Sequence, residues 1–575
     1  MALSFLTNLL DSCNVEIIVI LNGIAMSIYL LVNPLAMYQV LCQRIVYPEL
    51  NSVKGTVENE TTNSVCASLG KGALGGNETT DDEWVTQLEF EVQEQAAAWF
   101  MIFALAHALP GLITDVVLAA YSDENGRKNV ILLGLAGVFA VLAVTPFAYL
   151  FPFNVPLWVV ALAHVVGGVT GFVSSLLSAC AAYLADTVMD HQRSLTVRMT
   201  ILQVCYTLPT IVGPLVASSI LKVVSYAQAI LLASLLSVLA FIYGLVRLKQ
   251  ILPSNINKLE FPAKQDSKDC AIAGPEDKDN LEVPVNLIEQ AQHEENNRVQ
   301  PGVKRDSQSS FEFTATLKSD ERLKRINEKS DRSIIESIRH HAIASWSLVR
   351  SVWVTYARSR QGHTRAYLWL TGLAFFLCSA TDGVTSGPMF SLYVQGGPFF
   401  WHQDMIAYYK ATVGFLKLLG ASAGVLLIKR VLRLSDTLII LLSISSSVAQ
   451  LALTAFSEQS WGLFAAAGAG MLSALANPCI QAFVAKLVTC DELGKSYTAF
   501  SLSSNFSYLV SSTAAGAIYR ATLVWFPGFI FLLMAVLLTI NFFAVAWLHW
   551  DHKHAQSREI GVVHPVHPDH HPVRF

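Results

Sequence analysis

The chain has 575 residues, of which 53% are hydrophobic and 14% are charged, and its mean hydropathy is +0.45. A soluble globular protein carries roughly 25% charged residues, so this composition excludes an ordinary soluble enzyme. The formal net charge of −4 gives no excess of positive charge for binding nucleic acid. Each bilayer crossing needs about 20 mostly apolar residues, so we expect a polytopic helical membrane protein.

Apolar segments occur in two groups of six, separated by a long polar insert. The predicted spans are 16–35, 97–120, 130–150, 157–186, 198–221, 226–247, 366–394, 406–428, 437–456, 461–487, 497–520 and 525–548. The sequence therefore predicts an all-α membrane protein with twelve transmembrane helices in two six-helix halves, within residues 1–247 and 365–549.

The charges of the short loops predict the orientation in the membrane. Lysine and arginine occur in loops 122–128 and 429–433, whereas the alternate loops 151–156 and 457–460 have none. Basic loops stay in the cytoplasm, so we predict that both termini and the insert are cytoplasmic. The long loop 43–95 is then on the outside or in a lumen.

Two N-x-[ST] sequons in that outer loop agree with this orientation. They begin at Asn59 and Asn77 and predict N-glycosylation. A chain with this topology is a multi-pass membrane protein, and the plasma membrane is favoured over the lysosomal membrane.

The polar segments outside the spans differ in character. The insert 248–364 is predicted to be disordered over 262–310, where apolar periodicity is nearly absent. Around 333–358 apolar residues recur at helical spacing, which predicts an amphipathic helix on the inner membrane surface, against membrane lipids, or beneath the bundle. The tail 550–575 is rich in histidine and proline, and a solvated tail is favoured over a metal site.

The tight turn between spans two and three contains the most informative motif. It has the form D-x-x-G-R-K, with Asp123, Gly126 and Arg127 followed by Lys128. Asp186, at the same end of span four, is a natural partner for Arg127. We predict that these residues form a cytoplasmic gate, the alternative being ordinary topology charges.

Ionisable residues inside the spans are the candidates for a solute pathway, because charge at bilayer depth is costly. They are Asp115, Asp382, Lys410 and Lys417. Lys417 is placed near the midplane, where transporter sites occur. Helix counting predicts that Asp382 pairs with Lys410 on the outer side and that Lys417 remains free to meet solute. The alternatives are that Asp382 caps local backbone while Lys410 reaches lipid headgroups, and that Lys417 pairs with a carboxylate of the bundle.

Deep amides and cysteines complete the candidates. Asn22 and Asn505 lie inside spans one and eleven, where they favour either helix–helix hydrogen bonding or solute contact. The nine cysteines include no CxxC spacing, so neither a zinc site nor a disulfide scaffold is predicted. We predict no cofactor and no metal.

The D-x-x-G-R-K turn and the six-plus-six layout resemble the major facilitator superfamily. The resemblance narrows to solute carrier family 46, which includes the proton-coupled folate transporter. The stretches that support it are 110–113, 180–186, 196–199 and 485–488. The likeness covers nearly all of the membrane region and none of the insert.

The chain departs from the folate member where that protein has residues for proton coupling and substrate binding. A span-five glutamate, a span-seven histidine and a span-ten arginine correspond here to Gln203, Gly383 and Gln481. The family's bridge between the first outer loop and the loop after span seven is also missing, because 394–405 has no cysteine. Cys66 can pair with Cys42 or stay free.

The resemblance implies a secondary active transporter that moves a small organic solute by alternating access, with protons as a possible coupling ion. Lys417 and Lys410 favour an anionic solute, and Gln203, Gln481, Asn505 and Asp382 complete the predicted pathway. The alternative is a transporter-like receptor or sensor that signals through the insert. Deleting 262–310 separates the two, since a carrier would still move solute and a sensor would lose its output.

Overall fold

The computed structural model describes residues 14–54, 66, 80–187, 192–250, 346–347, 349–360, 362–425 and 435–563. Several predictions lie outside these residues. They concern the sequons at Asn59 and Asn77, the disordered part of the insert, the tail after residue 563 and the side chain of Asp123.

The described regular elements are helices, and we number the long ones in chain order. They are α1 Asn14–Lys54, α2 Thr80–Asn125, α3 Arg127–Leu150, α4 Trp158–Val169, α5 Phe172–Thr187, α6 Gln192–Leu221, α7 Tyr226–Arg247, α8 Thr364–Ser386, α9 Pro388–Gln395, α10 Gln403–Val425, α11 Asp436–Phe456, α12 Ser460–Ala469, α13 Ala476–Leu487, α14 Cys490–Thr522 and α15 Phe529–Val563. Residues 349–357 are also helical.

Ten stretches of the described chain are long and apolar enough to cross a membrane. Helices α10 and α14 stand at the places of predicted spans eight and eleven but are not among these ten. The all-α membrane architecture is therefore confirmed, and the total of twelve crossings stays a prediction.

Two of the crossings consist of two helices in line. The fourth, Trp158–Leu184, is interrupted between α4 and α5. Gly171 lies there with φ +77°, a conformation that glycine adopts without steric cost. The ninth candidate, Ser460–Leu487, is interrupted between α12 and α13 by the short 3₁₀ helix Ser473–Leu475. Among the ten candidate crossings of the described chain, one in each half is therefore interrupted.

The helices α1–α7 form the N-terminal half and α8–α15 the C-terminal half. We call the end of the bundle with the α2–α3 turn the Arg127 end and the opposite end the Cys42 end. The halves meet chiefly through α2 against α14 and α6 against α10. A buried apolar cluster at the Arg127 end, including Val15, Val130 and Cys180, contains N-terminal residues only.

The first loop is shorter than the predicted 43–95, because α1 continues to Lys54 and α2 begins at Thr80. Val46 and Leu88 beyond the predicted spans are buried, and this packing favours helix where hydropathy alone indicated a loop. A disulfide joins Cys42 to Cys66, with 5.9 Å between their Cα atoms. Of the two states that the sequence left open for Cys66, paired with Cys42 or free, the structure has the paired one.

Candidate functional site

A cavity of about 610 Å³ lies between the two halves, within the usual size of small-molecule sites. Its walls come from α2 and α5 on one side and α14 on the other. It extends from Asp115 and Asn505 to Arg127 and Tyr497 at the helix ends. Serine side chains dominate the polar part of the wall, including those of Ser122, Ser174, Ser175, Ser178, Ser501 and Ser504.

The inner limit of this cavity is a hydrogen-bond network around Asp115. Ser174 Oγ donates to Asp115 Oδ2 at 2.7 Å, and Ser175 Oγ donates to Oδ1 at 2.5 Å. The amide of Asn505 donates to Oδ2 at 2.5 Å from the other half. The carboxylate therefore links α2 and α5 to α14.

A separate chamber of about 80 Å³ lies towards the Cys42 end and contains two histidines. Tyr29 Oη is 3.3 Å from His164 Nε2, and the His164 ring stacks on Phe103. His107 Nδ1 is buried and has no hydrogen-bond partner among the described residues, and its ring meets Phe172 edge-on. The chamber is too small for an organic solute of the size that the larger cavity could hold.

Contacts between the halves close the Cys42 end. Arg520 Nη2 donates to Glu94 Oε1 at 2.7 Å, and the buried Tyr519 hydroxyl donates to Gln93 Oε1 at 2.9 Å. Where α6 packs against α10, Ser218 Oγ donates to Asp404 Oδ1 at 2.5 Å. Because the cavity reaches the Arg127 end, the described conformation faces that end.

The predicted pairing of Asp382 with Lys410 is wrong. Lys417 Nζ donates to Asp382 Oδ1 at 2.7 Å, so Lys417 is not free. Measured from the Cys42 end, Asp382 lies 13 residues before Gln395 and Lys417 lies 14 residues after Gln403. Both are therefore about 20 Å deep, whereas Lys410 is only seven residues in.

Lys410 has a different partner. Its Nζ donates to the backbone carbonyl of Leu30 at 3.1 Å, across the two halves. Within the part of the chain that the structure describes, no carboxylate neutralises this ammonium group.

Two of the predicted gate residues, Arg127 and Asp186, meet within one half. Arg127 Nε donates to Asp186 Oδ2 at 3.0 Å, and Arg127 Nη1 donates to Ser122 Oγ at 2.7 Å. Gly126 has φ +89°, which the turn requires and which favours glycine. In the C-terminal half, Lys486 pairs with Asp436 at the same end.

The structure does not bring all predicted pathway residues together. Gln203 on α6 is exposed and Gln481 on α13 is partly exposed, and neither lines the Asp115 cavity. Gly383 on α8 faces Ser511 of α14, and an added Cβ would lie 2.6 Å from the Ser511 hydroxyl. A side chain at this position would therefore require the Ser511 hydroxyl to rotate away.

Sequence reasoning missed the two buried histidines and the paired serines. The signal for His107 and His164 was present, since each is a polar ring inside an apolar crossing. Ser174 and Ser175 gave no signal, because only the fold brings them to Asp115. Among the described residues, no group of three or more His, Cys, Asp or Glu side chains could hold a metal ion.

Comparison with known proteins shows which family has this architecture. Residues 16–438 match the family model of the Major Facilitator Superfamily. The proton-coupled folate transporter of Rattus norvegicus is 22% identical over 86% of this chain and 88% of its own length. The lysosomal proton-coupled steroid conjugate and bile acid symporter SLC46A3 of Gallus gallus is 21% identical over 80% of this chain and 81% of its own length.

Two solved structures have the same fold. The human organic anion transporter MFSD10 (TETRAN) has a TM-score of 0.52 and 13% identity, over 93% of this chain and 99% of that one. A POT family transporter in complex with 5-aminolevulinic acid has a TM-score of 0.51 and 9% identity, over 94% and 96%. At these identities the likeness shows the fold alone.

Proposed function

Because the chain belongs to the major facilitator superfamily and is a membrane transport protein of the solute carrier family 46 type, we propose that it is a secondary active transporter of a small organic anion, working by alternating access. One observation supports this most. A cavity between the halves reaches the Arg127 end, while ion pairs and hydrogen bonds between the halves close the Cys42 end. A carrier that exposes one site to each side in turn requires this asymmetry.

The anionic charge of the solute is supported by Lys410. Its ammonium group is held by the Leu30 carbonyl alone among the described residues, so an anion can still compensate its charge. The other predicted cation, Lys417, is already compensated by Asp382. The relatives are named for folate and for steroid conjugates and bile acids, which supports an organic anion here.

We also propose coupling to protons and a place in the plasma membrane, with both termini in the cytoplasm. Both relatives are named as proton-coupled, and the chicken protein is named as lysosomal. Uptake should then depend on the pH difference across the membrane.

The test is uptake of labelled folate, a labelled bile acid and a labelled steroid conjugate into cells that express the chain. We expect at least one to accumulate above control cells, more strongly at mildly acidic than at neutral outer pH. A proton ionophore should remove the difference. Absence of uptake at every pH, with the protein present at the cell surface, would contradict the proposal for these anions.

A further inference from the structure

We propose that Asp115 binds the coupling proton of this transporter, an inference that rests on the function proposed above. At Gln203, Gly383 and Gln481, where the resemblance implies residues for proton coupling and substrate binding, this chain has no ionisable side chain. None of these three side chains can exchange a proton near neutral pH. A proton-binding residue of this chain must therefore lie elsewhere.

Asp115 is a carboxylate inside the membrane region, and no described residue forms an ion pair with it. It lies ten residues before the end of α2, or about 15 Å from that end. It accepts hydrogen bonds from Ser174, Ser175 and Asn505, all of which are neutral donors. An ionised group at such depth is costly unless a countercharge compensates it. Binding a proton removes that cost.

Other titratable groups near the cavity are less suited to this role. Arg127 on α3 stays protonated and already contacts Asp186. Tyr497 on α14 also lines the cavity, and Tyr508 on the same helix lines the separate chamber. Phenols titrate near pH 10. His107 lies about two turns away on α2 and faces that chamber.

The position of Asp115 makes its charge relevant to the solute. An anion that moves through the cavity passes this carboxylate, and like charges repel in a poorly hydrated space. A proton on Asp115 removes the repulsion. The proton would arrive from the aqueous phase at the Cys42 end when that end is open. It would leave to the aqueous phase at the Arg127 end, which the cavity reaches in the described conformation.

Protonation would also change the link between the halves. The ionised carboxylate accepts from α5 and from Asn505 of α14 at once. A neutral carboxyl has one oxygen that carries hydrogen and accepts poorly. One of the hydrogen bonds that Asp115 accepts, from Asn505 or from a serine of α5, is then weakened. Proton binding and movement of the halves are coupled through this one side chain.

The first experiment needs no solute. The purified full chain is titrated in lipid vesicles, and infrared difference spectra are recorded between mildly acidic and neutral pH. Glu89 of the same helix is a second partly buried carboxyl group, beside Gln93, so the titration is made in the Glu89→Gln background. In that background we expect a carbonyl band from a protonated carboxyl group and its loss when Asp115→Asn is added. The control is Glu91→Gln, an exposed carboxylate of the same helix that contacts Gln95. This control should keep the band.

The second experiment measures transport in proteoliposomes with labelled folate, a bile acid and a steroid conjugate. Asp115→Asn should lose accumulation driven by a pH gradient but keep exchange of labelled for unlabelled solute. Glu91→Gln should keep both. Gradient-driven accumulation by Asp115→Asn, or a full infrared band in that variant, would overturn the inference.

Two further variants separate loss of the proton site from loss of the fold. Asp115→Glu keeps a carboxyl group and should retain proton-dependent accumulation. Ser175→Ala removes a donor that favours the ionised form, so the pH of half-maximal band intensity should move to a higher value. An unchanged midpoint would contradict the role of Asp115. If the wild type carries none of the three anions, the proposed function is contradicted for them, and the infrared titration still decides about Asp115.

Discussion

Three basic side chains near or inside the membrane region have their charge compensated in different ways. Arg127 meets Asp186 within the N-terminal half, and Lys417 meets Asp382 within the C-terminal half. Lys410 instead donates to a backbone carbonyl of the opposite half. A dipole compensates a full charge less completely than a carboxylate does. Lys410 is therefore the cation whose environment changes most when the halves separate.

The Lys417–Asp382 pair predicts a specific pattern of rescue. Asp382→Ala and Lys417→Ala should each impair transport, and Asp382→Lys combined with Lys417→Asp should restore part of it. The Asp382 side chain is 48% exposed, so its loss should cost about 1 kcal/mol or less of folding stability. Surface expression and uptake are measured together. Rescue by Asp382→Lys with Lys410→Asp instead would contradict this pairing.

The turn at Arg127 supports a second prediction. Arg127→Ala should leave the protein in the membrane and nearly abolish turnover, because the contacts to Asp186 and Ser122 hold the turn in place. Lys128→Ala is the matched control, since Lys128 is its neighbour and donates to the Leu245 carbonyl at an exposed site. Normal uptake by Arg127→Ala would contradict the gate.

At the scale of elements, the segment that leads out of the insert is attached to α14. Arg360 Nη2 donates to Glu492 Oε2 at 2.6 Å, and Arg358 lies 3.7 Å from the same carboxylate. Trp353 and Tyr356 of the helical residues 349–357 meet Trp369 of α8 edge-on. The end of the insert is therefore joined to two helices of the C-terminal half.

This attachment should depend on pH. Burial alone would raise the pKa of Glu492, but the hydrogen bond and charge of Arg360, the Thr489 backbone and Arg358 together lower it. The stabilisation is then present at neutral pH and is lost as the pH falls through the folded-state pKa. Arg360→Gln should cost about 2 kcal/mol at neutral pH, measured by thermal unfolding.

The difference between Arg360→Gln and the wild type should shrink in acid, because Glu492 is then neutral in both. Arg350→Gln, at an exposed position of the same segment, is the control and should change little. A stability difference that is the same at neutral and acidic pH would show that the ion pair is not its source.

The sequence predicted the elements better than their interruptions. Spans four and ten read as continuous apolar segments, and hydropathy has no signal for the breaks at Gly171 and at 473–475. The depth of a side chain, when obtained by counting residues, depends on which end of the helix is taken as the start. Asp382 was counted from the opposite end of the membrane to Lys410, and this gave Asp382 the wrong lysine as its partner. The Asp115 network was beyond prediction because its members come from three helices far apart in sequence.

At the scale of the whole molecule, polar bonds between the halves concentrate at the Cys42 end. Those between described residues include the bonds of Glu94 with Arg520, Gln93 with Tyr519, Ser218 with Asp404 and Lys410 with the Leu30 carbonyl. The innermost bond of the α2–α14 seam joins Asp115 to Asn505, beyond which the cavity separates the helices. The halves therefore behave as two bodies whose separation at one end accompanies closure at the other.

Joining the halves covalently should stop this motion. Glu94→Cys with Arg520→Cys replaces the exposed ion pair by a potential disulfide, and oxidation should abolish uptake until a reductant is added. Lys486→Cys with Asp436→Cys joins two helices of one half and serves as the control, with uptake retained. Undiminished uptake after complete cross-linking of the first pair would contradict alternating access.

The orientation of the bundle gives a further prediction. If Asn59 and Asn77 carry glycans, enzymatic removal of N-glycans should increase gel mobility, and the double Asn→Gln variant should show no shift. An epitope tag near Ser309 should be reachable by antibody only after the cells are made permeable. Labelling of that tag on intact cells would contradict the predicted topology.

The disulfide between Cys42 and Cys66 has a consequence in redox chemistry. Disulfide bonds form and persist in the oxidising secretory compartments, whereas glutathione and thioredoxin keep cytosolic thiols reduced. The Cys42 end should therefore mature on the oxidising side of the membrane, whatever the charges of the loops. A chain inserted in the opposite direction would expose both thiols to the reducing cytosol and lack this bond. The covalent state of two cysteines thus records the direction in which the chain was inserted.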